Sequence, residues 1–345
     1  MTPAPDRTPL RPRDLLASPR DLARWAFWVP FRDALDPGRP ERLRRLWPLW
    51  RLAHGVGGAQ RRRIEAELAA VLGCGSRDPR VRALVRETYR VSFRAHLEEL
   101  LLGKLTAATV DSFLEVRGRE HLEAARARGR GAIVLSAHAG SFMLPIAWFS
   151  LHGYPYTQFA ARGLPPGELA AAHPEALHRN RWQAEAIRVR ESHEDLLPAS
   201  FLTVDAPTRE LYRRLGRNEL VALAFDGRMG HRWVRAPLLG RQALLNPGAY
   251  RLAEGTGAAI LPTLCHTPPD GRSVCQIGAP LVPDGRTWEE LMTAFLAEHA
   301  DPWLRAHLAG YGTWLAHCRL RAPVDDHPLF VDYAVDDRWR RHPAL

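Results

Sequence analysis

Three short apolar segments, Ala132–Leu135, Glu219–Phe225 and Ala259–Thr263, are separated by longer stretches in which apolar residues recur at helical spacing. Runs this short and continuous suit strands covered on both faces. Strands that alternate with helices build a mostly parallel central sheet flanked by helices, with ligands held beyond the carboxyl ends of the strands. Further strands are expected at Phe113–Val116, Tyr156–Phe159 and Ile187–Val189. Val274–Ile277 should return beside Ala259–Thr263 across the Pro-Pro-Asp-Gly turn at 268–271. The intervening helices are His121–Ala127, Phe142–Leu151, Pro174–Arg181, Ala206–Leu215 ending at Gly216, Pro247–Glu254 ending at Gly255, and Trp288–His307 with a break near Pro302.

Ahead of this α/β pattern lies a helical N-terminal region, residues 21–105. Leu84, Val85, Tyr89, Phe93, Leu97 and Leu101 recur at helical spacing along most of its last helix and give it a single apolar stripe. Residues 1–20, rich in Pro and Arg, read as a mobile arm, 106–330 as the α/β core sharing one domain with the helical region, and 331–345 as a C-terminal tail. The 345 residues, 46% of them hydrophobic, suffice for one large core.

Two residues stand at the expected active edge: His138 follows the strand at 132–135, and Asp226 follows the strand at 219–225. Four segments around them resemble, in order, the lipid A lauroyl/myristoyl branch of the lysophospholipid acyltransferase superfamily. They are Gly131-Ala-Ile-Val-Leu-Ser-Ala-His138-Ala-Gly140; Phe225-Asp226-Gly227-Arg228-Met229-Gly230 with Ala236-Pro237-Leu238-Leu239-Gly240; Asn246-Pro-Gly-Ala-Tyr-Arg-Leu-Ala253 with Thr256-Gly257-Ala258; and Trp314-Leu-Ala-His317-Cys-Arg319. The resemblance spans roughly residues 110–322. It implies an acyltransferase that moves an acyl group from an acyl-carrier-protein or coenzyme A thioester to a hydroxyl or amine of a lipid or small-molecule acceptor, with His138 as general base. No cofactor beyond the donor and no metal are implied.

One departure matters. The branch has Asp or Glu five residues after the histidine, and Met143 stands there. A neutral alcohol needs a base to take its proton, and a carboxylate behind an imidazole fixes its tautomer and stabilises the cation that forms. Methionine can do neither. Three readings stay open: another carboxylate substitutes, with Asp226 the best placed; an easily activated acceptor such as an amine lets His138 act alone; or the chain binds acyl groups or their carriers without transferring them. Ser141 as helix cap and Pro145 in the first turn would put His138 in the turn before the helix. Ser141 and Met143 are expected to line the substrate site. Arg162, which the resemblance aligns with an arginine of the branch, is expected to bind phosphate or a developing oxyanion, and Asp226 with Arg228 to shape the acceptor site. Trp314, His317 and Arg319 are expected to pack the last helix. A serine nucleophile is disfavoured because the G-x-S-x-G elbow is absent.

The charge of +10, nearly all arginine with Lys104 the only lysine, favours acidic partners. Arg179, Arg181, Arg188 and Arg190 could meet an acidic carrier protein or coenzyme A phosphates, or form a solvated face. No nucleic-acid reader motif is present, so nucleic acid is not an expected partner. Four dispersed cysteines without a CxxC pair fit a reducing compartment, with Cys265 and Cys275 facing each other unbonded. The N-terminus carries no signal-peptide core, and no apolar run is long enough to span a bilayer. A cytoplasmic protein is expected, with the aromatic segment 22–35 either in peripheral contact with the inner membrane face or packed on the protein's own core.

Overall fold

The computed structural model describes residues 19–56, 58–160, 181–203, 206–322, 327–333 and 337–345. Among the described residues the strands are β1 Leu114–Arg117, β2 Ala132–Ser136, β3 Tyr156–Ala160, β4 Ser200–Thr203, β5 Leu220–Ala224, β6 Val234–Leu238, β7 Arg241–Leu245, β8 Ala259–His266 and β9 Ser273–Ile277. Seven of them form one sheet in the order β1-β9-β8-β2-β5-β3-β4. Every pairing in it is parallel except β8 with β9. The fold is therefore mixed α/β, with a mostly parallel central sheet flanked by helices and a helical region before it.

Alternation along the strands explains why the sheet is buried on both faces. Ile133 and Leu135 of β2, Val221 of β5 and Ile260 of β8 enter one core cluster. Ala132 and Val134, Leu220 and Ala222, and Ala259 and Leu261 enter the other. Successive side chains point to opposite faces, so a strand apolar at every position needs cover on both.

The helices supply that cover. They are α1 Pro19–Ala26, α2 Pro40–Leu46, α3 Trp50–Val56, α4 Gly58–Leu72, α5 Pro79–Glu99, α6 Ala107–Val110, α7 Arg119–Ala127, α8 Leu144–Leu151, α9 Arg181–Glu194, α10 Arg209–Gly216, α11 Gly248–Thr256, α12 Trp288–Ala294, α13 Asp301–Ala306 and α14 Leu308–Arg321. Ile64 and Leu68 of α4, Val81 and Val85 of α5, and Tyr311 and Leu315 of α14 pack into the first cluster. Leu97 of α5, Leu122 of α7 and Leu144–Phe149 of α8 fill the second. The start of α5 is set by Pro79 in its first turn and by Asp78, whose side chain accepts from the Arg80 amide at 2.8 Å.

Several local expectations are corrected. Residues 187–189 lie inside α9, not in a strand; two β-branched residues, Ile187 and Val189, do not outweigh a helical surround. The left-handed residue after α10 is Asn218 (φ 60°), not Gly216, and α11 is closed by Gly257 (φ 72°), not Gly255. The β6–β7 hairpin and β4 were not read from the sequence. The hairpin turns on Leu239 (φ 54°) and Gly240 (φ 76°), with Leu238 paired to Arg241, a two-residue loop with both central residues left-handed. A leucine there hides the turn, and its cost is offset where the Leu239 amide donates to the Asp301 carboxylate. The Pro174–Arg181 helix falls outside the described residues except at its last residue, which begins α9.

The aromatic segment turns inward. Phe27, Trp28, Phe31 and Leu35 pack against the second cluster. Trp25 donates to Glu185 at 2.8 Å and meets Trp182 edge-on at 4.7 Å. Lys104 holds the end of the segment, its ammonium donating to the carbonyls of Arg32 (2.8 Å), Asp33 (3.2 Å) and Leu35 (2.8 Å). At the other terminus Ala344 bridges to Arg235, and Arg241 joins Glu67, Asp332 and Tyr333. Cys265 and Cys275 are register partners across β8 and β9, and both are free thiols.

Candidate active site

The register of two neighbouring parallel strands decides where the chemistry sits. Residues of β2 pair with residues of β5 from Ala132 with Leu220 through to Ser136 with Ala224. Two positions beyond the last pair, each chain leaves the sheet edge, at His138 and at Asp226. The two side chains meet there. The Asp226 Oδ1 lies 2.8 Å from the His138 Nδ1, and Oδ2 accepts from the His138 backbone amide at 3.0 Å. A carboxylate only accepts, so Nδ1 carries the hydrogen and Nε2 is left with its lone pair. The Asp226 side chain is wholly buried, whereas that of His138 is 24% exposed. The carboxylate is shielded and the imidazole is reachable.

Three residues of α14 complete this edge. The Trp314 indole stacks on the His138 imidazole, with ring centroids 3.8 Å apart and planes 12° apart. One turn earlier on the same helix, the Gly310 carbonyl accepts from the Gly140 amide at 3.2 Å. Tyr311 is buried, and burial with the nearby Asp226 charge holds its hydroxyl far above the usual tyrosine range. Phe142 meets the imidazole edge-on at 5.1 Å. The sequence reading assigned Trp314 to packing and did not single out Gly310 or Tyr311. A Trp-x-x-His step on a helix carries no signal for a partner 176 positions away.

The turn between His138 and α8 is fixed from below. Ser141 does not cap α8; Met143 occupies that position and no side chain caps it, while Pro145 does lie in the first turn. The Ser141 side chain instead points into the protein, where its hydroxyl meets Glu98, Ser273 (3.0 Å) and Thr267 (3.1 Å). Glu98 is itself paired with Arg94 at 2.7 Å, both buried, and the Arg94 guanidinium lies 4.1 Å over the Trp47 ring. Gly140, at φ 57°, leaves no room for a Cβ, which would come within 2.9 Å of the Cys265 carbonyl. Met143 packs half-buried on the second cluster.

Arg228 donates to the carbonyls of Leu244 (2.8 Å) and His327 and lies over Trp233, so it ties the loop after β5 to the hairpin and the C-terminal segment. Arg162 lies outside the described residues, as does Arg179. Two surface cavities of about 480 and 300 Å³, one lined by Arg128, Arg130 and Tyr212 and one by Leu264, Gln276 and Trp303, include neither His138 nor Asp226.

An activatable imidazole with a buried carboxylate behind it, at the carboxyl edge of a parallel sheet, matches the chemistry of acyl transfer. The model of the bacterial lipid A biosynthesis acyltransferases matches residues 46–321. The chain belongs to that family. Relatives of this acyltransferase include the phosphatidylinositol mannoside acyltransferase of Mycolicibacterium smegmatis, 27% identical over 330 residues that cover 95% of this chain and 91% of the relative. The protein of the same name from Mycobacterium tuberculosis is 30% identical over 151 residues, 44% of this chain and 43% of the relative. The family match ends at Arg321, the last residue of α14, so it takes in both strands that carry the His138–Asp226 pair and the helix that stacks on it.

Proposed function

We propose that this acyltransferase moves an acyl group from an acyl-carrier-protein or coenzyme A thioester to a hydroxyl of a sugar-bearing membrane lipid, with His138 as general base and Asp226 as the carboxylate that orients it. The observation that carries the reading is the 2.8 Å contact between the His138 Nδ1 and the Asp226 Oδ1. It supplies from a neighbouring strand what Met143 lacks in the helix.

The step follows from that geometry. The acceptor hydroxyl gives its proton to the His138 Nε2 as its oxygen bonds to the thioester carbonyl carbon. The carbonyl electron pair moves onto oxygen; when it returns, the carbon–sulfur bond breaks. The departing thiolate takes the proton from Nε2, and the imidazole is neutral again. Asp226, held against Nδ1–H, stabilises the imidazolium between these two transfers. We assign the developing oxyanion to Arg162, on the strength of the resemblance, and the shape of the acceptor side to the loop that Arg228 ties down.

The acceptor class draws on the relatives, which are named phosphatidylinositol mannoside acyltransferases and one of which aligns over 95% of this chain. Such an acceptor sits in a membrane. Among the described residues no helix is long and apolar enough to cross one. Leu49, Leu52 and Val56, 43%, 69% and 88% exposed, instead form an apolar row along α3 and the turn before it, next to Arg44, Arg45 and Arg51, which suits peripheral contact with an anionic surface. Leu52→Glu should reduce flotation with anionic vesicles; unchanged flotation would remove α3 as the contact.

The deciding experiment offers the purified protein long-chain acyl-carrier-protein and acyl-coenzyme A thioesters with a panel of glycolipid, phospholipid and amine acceptors, read by mass spectrometry. Acylated glycolipid that disappears in His138→Ala establishes the reading. Acylation that persists in His138→Ala, or thioester binding without transfer to any acceptor, overturns it.

A further inference from the structure

Apart from Asp226, the closest partner of the His138 imidazole is a ring. Trp314 lies almost parallel to it, centroids 3.8 Å apart, and its own indole N–H has no hydrogen-bond partner among the described residues. The ring is thus held by its faces: it stacks in turn on His317, at 5.2 Å and 19°. Asp226 approaches the imidazole in its plane, at Nδ1, while Trp314 covers a face. The two occupy different directions and do not compete.

A face-on indole distinguishes the two charge states of an imidazole. Against the neutral ring it offers dispersion alone, whereas against the imidazolium its negative quadrupole attracts the charge. The imidazolium exists only between removal of the acceptor's proton and its delivery to the leaving thiolate. An interaction that strengthens at that point accelerates the reaction, and one equally strong throughout does not.

We infer that Trp314 is a positioning residue that selectively stabilises the His138 imidazolium through its indole face, as a second counterpart to Asp226. The inference rests on His138 being the general base. The helix is built to hold the ring there, because Gly310, one turn before Trp314, is bonded through its carbonyl to Gly140, two residues after His138. One helix face therefore fixes both the backbone of the turn and the ring above it.

The test grades the electrostatics of the ring without changing its shape. Trp314 alone is replaced, in the full-length protein, by mono-, di- and trifluorinated tryptophan, alongside Trp314→Phe and Trp314→Leu. Rates are measured with a long-chain acyl-coenzyme A and mannosylated phosphatidylinositol, and also as thiol release to water. We expect kcat to fall stepwise with fluorination and KM to stay constant, with a total loss of roughly 3- to 30-fold. Trp314→Phe should retain part of the rate that Trp314→Leu loses. A flat kcat across the fluorinated series, with Trp314→Leu impaired, would reduce Trp314 to packing and overturn the proposal. A KM that rises with fluorination would make it a substrate contact instead, which also overturns it. His138→Ala separates the two levels: activity retained in that variant sinks the base itself, whereas an inactive His138→Ala with a flat series sinks only the role of Trp314.

Discussion

At the scale of single residues, the proposed reaction leans on one carboxylate that comes from outside the motif. Asp226→Asn keeps the shape but can leave the imidazole in the wrong tautomer, since an amide both donates and accepts. We expect kcat to fall by about a thousand- to ten-thousand-fold with KM little changed, by comparison with the loss of the equivalent carboxylate in serine hydrolases. Steady-state kinetics on the folded variant check this, and a loss under tenfold would show that His138 works alone. That His138 and Asp226 share one sheet edge was legible in the sequence, because each follows an apolar strand. Trp314 was not. Nothing in a linear sequence shows which face of a terminal helix a tryptophan shares with a histidine so far away. The buried Glu98–Arg94 pair beneath Ser141 was equally hidden, because an i, i+4 spacing of opposite charges on a helix does not show whether the pair is buried.

At the scale of elements, α14 is the template against which the site is set, and its seat on α5 is close. A Cβ at Gly312 would lie 2.7 Å from the Thr88 Oγ1 and 3.4 Å from the Ile64 Cγ2. Gly312→Ala should push α14 away from α4 and α5, carrying Gly310 and Trp314 with it. We expect a stability loss of about 1–3 kcal/mol by overpacking. Activity should fall by more than the unfolded fraction explains, although residue 312 touches no reacting group. Urea denaturation and kcat on the same samples check this, and full activity per folded molecule would refute it. The strands that carry the site were readable because a short apolar run bounded by polar or glycine residues suits a strand covered on both faces. The β6–β7 hairpin was not, because its turn places Leu239 where sequence rules look for asparagine or glycine.

At the scale of the whole molecule, burial of histidines sets the response to acid. Burial pushes His193 down to about 4, helped by Arg32 and Lys104 nearby, and pushes His266, stacked on His307 at 4.2 Å, down to about 4. Both would titrate near 6.5 in the unfolded chain, so between these values the unfolded state binds more protons than the folded one. Stability should hold above about pH 6.5 and fall as the pH drops toward 4. Urea midpoints across that range test this, and His266→Gln should flatten the slope; a slope that is the same in both proteins would remove His266 as a contributor.

The pairing of β2 with β5 has a consequence in time. His138 and Asp226 are joined by a closure of 88 positions, whereas the helices before and after them form from neighbours. During refolding, helical signal should return first and catalysis last, in step with the slowest long-range contact. A ribosome-bound chain that has emerged only through α8 would carry His138 but none of β5, β8 or α14, the elements that hold it in the folded protein.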